Sequence, residues 1–132
     1  MGGTAVPYSP EAAAEGQHFL HMEGRAVFKW AIRLVNDTVR QVLRLANITV
    51  DDLALVVLHQ ANRRILTAAA KQLDIPDHKI VVNVDRVGNT AAASVPLALD
   101  EARQQGRIRP GDYVLLSGFG AGLSWGTAVF RW

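Results

Sequence analysis

No cysteine occurs among the 132 residues. Disulfides and thiolate metal sites are thereby excluded, and a reducing compartment such as the cytoplasm fits. Long apolar runs are missing too. No stretch approaches the ~20 residues that a membrane-spanning helix needs, so no membrane is expected as a partner. The opening MGGTAVPYSPEAAAEG has neither a basic n-region nor an apolar h-region, so it is no secretory signal. There is little charge of one sign: 14 Lys and Arg stand against 12 Asp and Glu, a formal net charge of +2. The sequence pI of 9.4 therefore overstates how basic the chain is. With no basic stripe interleaved with aromatics, nucleic acid is not expected as a partner. His18, His21, His59 and His78 show no ligand spacing such as HExxH, so no metal site is expected. Ser94, Ser117 and Ser124 lack a G-x-S-x-G context, which argues against a serine hydrolase.

What remains is a chain that is 49% hydrophobic and of a length for one domain with a real core. Residues 1–20 read as a flexible lead of small residues, Gly and Pro. Residues 21–132 read as the domain. HFLHM at 18–22 is a short strand or a loop. Gly24 to Ala46 is a long amphipathic helix: Ala31, Val35, Val39 and Leu43 recur on one face, and Arg25, Lys29, Arg33 and Arg40 fall mostly on the other. Asn47 stops it, and Thr49 caps a short turn through Asp52.

The chain then turns on LALVVLHQANRRI, residues 53–65. Ala54 to Leu58 is continuously apolar without period-2 alternation. That suits a strand buried on both faces of a parallel sheet. His59 then falls at the strand's carboxyl end, where open α/β sheets place ligands. Asn62 to Leu73 is a helix whose start, beside Arg63 and Arg64, is a potential anion site. Ile80 to Val84 is a second strand. Val87 to Thr90 is a turn, and Ala91 to Gln105 is a third helix ended by Gly106. Tyr113 to Ser117 is a third strand, GFGAG at 118–122 bends the chain, and Leu123 to Trp132 is the last strand. Helix crossovers join parallel strands, and the last two strands form an antiparallel pair. The fold class is α/β.

Taken singly, these tips are weak signals. A lone His after a strand is more often structural than catalytic, Asn89 after Gly88 reads as a turn, and GFGAG lacks the following helix of a dinucleotide fingerprint. Together, HMEGRAVFKWA, HQANRRI, DRVGNTAAASVPLALDEA, GRIRPGD and GFGAGLSWGTAVFRW resemble, in order and spacing, the β-ketoacyl-ACP synthase III family of thiolase-fold condensing enzymes. The resemblance runs from about His21 to Trp132 and covers only that family's C-terminal half. It implies a βαβαββ half with a mostly parallel sheet covered by helices. Family members carry a nucleophilic cysteine in the N-terminal half, which this chain lacks.

The resemblance also implies site residues. The family's catalytic histidine falls on His59 and its asparagine on Asn89. Both are suited to donate hydrogen bonds to the malonyl thioester oxygen as enolate charge builds. The backbone oxyanion donor falls on Ala121. Gly24 and Asn62 match the pantetheine channel and Phe28 an apolar position near the thiol. Arg64 matches a basic position that docks the acidic carrier protein, and Arg63, Arg25 and Lys29 extend it. The implied substrates are acyl-CoA and malonyl-ACP, with no cofactor. The implied partners are acyl carrier protein, the N-terminal half and, in the complete enzyme, a second copy. Two other functions stay open: a non-catalytic thiolase-fold binding module, and an acyltransferase with an oxygen or nitrogen acceptor.

Overall fold

The computed structural model describes residues 6–19 and 21–132. The expected flexible lead lies outside them at residues 1–5. Further along the lead, a five-residue helix, α1 (Pro10–Ala14), is capped by the Ser9 hydroxyl, which accepts from the Ala12 N–H. The 18–22 stretch carries no strand among its described residues, and residue 20 lies outside them. Next come α2 (Gly24–Ala46), β1 (Leu53–Leu58), α3 (Arg63–Gln72), α4 (Val84–Val87), α5 (Ser94–Gln104), β2 (Tyr113–Gly120) and β3 (Ser124–Arg131).

The long helix forms as its pattern requires. Ala31, Val35, Val39 and Leu43 are buried at i, i+4 spacing, and Asn47 closes the helix in the left-handed region, φ 54°. The following turn is closed from its far end: the Asp52 carboxylate accepts from the Thr49 N–H at 2.7 Å and from its hydroxyl at 2.8 Å. These bonds, the backbone one first, hold the Asp52 carboxyl below its ordinary range.

The sheet has three strands in the order β1-β2-β3, β1 parallel to β2 and β2 antiparallel to β3. Side-chain alternation divides the core. Val56, Leu58 and Leu115 pack with Val35, Val39 and Leu66 from α2 and α3. Leu55, Val57 and Val114 pack on the other face with Ala98 and Ala102 from α5. So β1 is buried on both faces, as its unbroken apolar run predicts. Three hydroxyls stitch α2 to the hairpin: Thr127 Oγ1 lies 2.8 Å from both Ser117 Oγ and Thr38 Oγ1, and Thr38 bonds the Leu34 carbonyl at 2.9 Å.

The strand expected at Ile80 to Val84 does not form. Only Ile80 makes a parallel bridge, to Val56, and the Val81 N–H donates to the Val56 carbonyl. Side chains occupy the groups that a ladder would need. The Gln60 amide takes the Val81 carbonyl and the Asn83 and Val84 N–H groups, and Arg107 takes the Ile80 carbonyl. The third expected helix also starts later. Ala91–Ala93 is a 3-10 turn, and the α-helix begins at Ser94, which puts Pro96 in its first turn, where no intrahelical N–H is needed. β2 runs past Ser117 because Gly118, Phe119 and Gly120 pair with Gly126, Trp125 and Ser124. The bend falls at residues 121–123. There Gly122, φ +140°, has Ser124 Oγ 2.5 Å from where a Cβ would stand, so glycine is required.

Candidate functional site

His59 leaves the carboxyl end of β1 with its backbone N–H donating to the Ser117 carbonyl at 2.8 Å. That bond continues the β1–β2 register by one residue. The ring stands edge-on to Phe119, 5.0 Å between centroids and 82° between planes. Trp30 of α2 packs against the same phenyl ring at 5.8 Å. Burial in this aromatic wall pushes the His59 imidazole below its ordinary value. The neutral form is thereby favoured, with one ring N–H available as a donor.

Asn89 comes from the loop between α4 and α5. Gly88, φ +70°, caps α4 and turns the chain. The Asn89 Oδ1 then accepts from the Ala91 N–H at 3.0 Å. A backbone N–H can bond only to an acceptor, so the amide orientation is fixed and Nδ2 is the end left to donate. Ala91 sits in the left-handed region at φ 50°, where a Cβ is strained.

His59, Asn89 and Ala121 all line one cavity of about 980 Å³. Its walls are the start of α5 and the β2–β3 hairpin, with Ala92, Val95, Leu116 and Trp125 making it largely apolar. Two side-chain donors and a glycine-rich tip thus converge on an apolar hollow. That arrangement can stabilise negative charge developing on a carbonyl oxygen, because weakly screened donors act strongly there.

The other expected residues lie apart from that cavity. Gly24 is the exposed first residue of α2, and nothing stands within 4 Å of a Cβ placed on it. Phe28 lines a different hollow of about 390 Å³ with Lys29, Arg33 and Asn36. Asn62 caps α3, its Oδ1 accepting from the Arg64 N–H at 2.8 Å. Arg64 is exposed at that helix start. Arg63 lines a third hollow of about 690 Å³ with His78 and Arg107. Among the described residues there is no group of three or more His, Cys, Asp or Glu side chains that could hold a metal ion. None of the helices there is long and apolar enough to cross a membrane.

Two residues stand out that sequence reading passed over. Gln60 is fully buried, and so is Ser94 at 1% exposure. The Gln60 N–H donates to Ser94 Oγ at 2.5 Å. The one polar residue in the apolar run AAASVPLAL was the available signal, since a buried hydroxyl calls for a partner.

The family model for the C-terminal part of 3-oxoacyl-[acyl-carrier-protein] synthase III matches residues 43–132. A β-ketoacyl-[acyl-carrier-protein] synthase III of Rhodopirellula baltica is 53% identical over 131 residues, covering 99% of this chain and 38% of that relative. The crystal structure of the corresponding synthase III from Thermus thermophilus superposes with a TM-score of 0.83 at 52% identity, over 85% of this chain and 35% of that one. That from Aquifex aeolicus gives 0.85 at 41% identity, over 89% and 38%. The likeness to the first relative includes the opening residues, upstream of where the five motifs begin. This chain spans about two fifths of the length of such curated relatives. On sequence and fold alike, it belongs to the β-ketoacyl-[acyl-carrier-protein] synthase III family, within the C-terminal part of the thiolase-like fold.

Proposed function

We propose that this chain supplies the enolate-stabilising side of a decarboxylating β-ketoacyl-ACP synthase III. The observation that carries this reading is the meeting of His59, Asn89 and the Ala121 backbone on one apolar cavity. A cysteine thiolate, from an N-terminal half of the same fold, attacks the acyl-CoA carbonyl and expels CoA. Malonyl-ACP then enters. Its carboxyl–carbon bond breaks, carbon dioxide leaves, and the electron pair becomes a thioester enolate held by His59 and Asn89. The enolate carbon attacks the acyl-cysteine carbonyl, whose oxyanion is held by the Ala121 N–H. Collapse frees the thiolate and leaves β-ketoacyl-ACP.

The same reading places Gly24, Phe28 and Asn62 along the pantetheine path and Arg64, with Arg63, where the acidic carrier protein docks. The domain that does this is residues 21–132, with 1–20 as a lead. The complete enzyme is a cytoplasmic homodimer that acts in fatty acid or polyketide-like biosynthesis and uses acyl-CoA and malonyl-ACP with no further cofactor. The absence of cysteine from the sequence favours a second reading, a non-catalytic binding module, for the chain acting by itself.

One experiment separates the two readings. The chain alone, incubated with radiolabelled acyl-CoA and denatured, should retain no stable label, because no thiolate is present to form an acyl-enzyme. Co-expressed with a cysteine-bearing half, it should release carbon dioxide from malonyl-ACP and form β-ketoacyl-ACP. A well-folded complex that loads acyl groups but never decarboxylates malonyl-ACP would overturn the enzymatic reading and leave the binding module.

A further inference from the structure

Gln60 follows His59 directly, yet its side chain turns away from the cavity into the protein. It is wholly buried. Its Nε2 donates to the Leu58 carbonyl at 2.9 Å and to the Val81 carbonyl at 3.1 Å. Its Oε1 accepts from the Asn83 N–H at 2.9 Å and from the Val84 N–H at 3.3 Å, at the start of α4. Its own backbone N–H donates to Ser94 Oγ, the first residue of α5. Both donors and both lone pairs of one buried amide are thus engaged, the most it can accommodate.

The partners matter more than their number. Residues 83–84 and residue 94 bracket the loop that carries Asn89. Both ends of that loop are fastened to the residue covalently next to His59. The Asn83 side chain is held from its other side by the Glu101 carboxylate at 3.1 Å. That bond, followed by the Arg86 guanidinium, keeps Glu101 below the ordinary carboxylate range.

We propose that Gln60, with Ser94, is a positioning residue that sets the spacing between His59 and Asn89. The proposal rests on the reading of those two as a donor pair to one thioester oxygen. Two donors from different elements serve one oxygen only if the elements are locked together, and a misplacement of roughly 1 Å can cost ~10²-fold in rate. No other hydrogen-bonding side chain among the described residues ties the His59 tip to both ends of the Asn89 loop.

Gln60→Met tests this, since it keeps the side-chain length and removes every side-chain hydrogen bond. Crystal structures of the chain should show the 83–91 segment moved from His59 by about 1 Å, the displacement that matters for reaction geometry. An unmoved segment overturns the proposal, whatever the activity. In the complex with the cysteine-bearing half, malonyl decarboxylation should fall ~10²-fold while acyl loading falls only a few-fold. Leu66→Ala, a core truncation under α3, should lower both rates together in proportion to the folded fraction. If Gln60→Met lowers both rates together in the same way, its role is ordinary stability and the proposal is wrong. Should Gln60→Met fail to fold, Ser94→Ala releases one end of the loop only. It should shift the same ratio by about tenfold, an intermediate misplacement, and an unchanged ratio overturns the proposal. A wild-type complex that loads but does not decarboxylate defeats the functional reading instead, and the crystal structures then decide the spacing alone.

Discussion

Asn89 and Ala91 form a closed pair: the side-chain oxygen of the first accepts the backbone N–H of the second at 3.0 Å. One end of the amide builds the turn and the other is free to act. Asn89→Asp keeps the accepting oxygen but replaces the Nδ2 donor with a charged acceptor. Fold and stability should change little, whereas decarboxylation by the complemented enzyme should drop by ~10²–10³, the usual effect of losing one such donor. Unfolding curves beside carbon dioxide release give the answer. Wild-type rates in Asn89→Asp would remove Asn89 from the donor pair.

Strain at the same tip gives a pair of predictions of opposite sign. Ala91 is left-handed at φ 50°. Glycine there removes a strain of ~1–2 kcal/mol but adds backbone entropy to the unfolded chain, so Ala91→Gly should raise stability by up to ~1 kcal/mol. Gly122→Ala should do the reverse, because its φ of +140° is combined with a clash against Ser124. Its loss should exceed ~1 kcal/mol. Urea denaturation of both variants is the measurement. Equal signs would mean that one of the two conformations is not held in solution.

The His59 imidazole is depressed by burial, which has a definite consequence for stability. The unfolded chain binds its proton at a higher pH than the folded one does. Stability associated with His59 is therefore complete above the ordinary imidazole value of 6.5 and is lost as pH falls below it through the folded value. The imidazole resonances of His59 should titrate below 6.5. His59→Phe should abolish this part of the pH dependence of unfolding. A midpoint above the ordinary value would mean a carboxylate partner rather than desolvation.

The hairpin and the α5 helix beside it are thinly covered. Leu97 is 45% exposed, Trp125 54% and Trp132 40%, and the outer edge of β3 pairs with no strand among the described residues. Exposed apolar patches and open strand edges promote association. The chain alone should self-associate as its concentration rises, and a complementary half should suppress this. Light scattering that finds a monomer at high concentration counts against it. Leu97→Lys should weaken the association.

Much of this was legible in the sequence, for identifiable reasons. The α2 bounds follow from a strong helical period and from Asn47, which takes the left-handed conformation easily. β1 was legible because a strand covered on both faces needs an unbroken apolar run. The false strand at Ile80 to Val84 has the right composition. Its ladder groups are taken by Gln60, 21 to 24 residues away in sequence, and no local pattern registers that. The start of α5 was misplaced for a similar reason: a run of alanines favours helix, but Ala91 is held left-handed by the Asn89 turn. Short motifs marked His59 and Asn89, which the structure brings to one cavity. Phe28 was not separable from them by sequence, since only the packing of α2 puts it in another hollow.

The row of hydroxyls from α2 to the hairpin has a direction. A carbonyl can only accept, so Thr38 must give its single proton to Leu34. Thr127 must then give its proton to Thr38, and Ser117 must give its proton to Thr127. By proton counting alone, Ser117 has nothing left to offer at the cavity that it borders. A group able to donate in either direction elsewhere is here reduced to lone pairs. That hydroxyl is spent on the α2 side of the sheet, so it adds no side-chain donor to the hollow. A helix that lines no part of the hollow thus decides which proton is withheld from it.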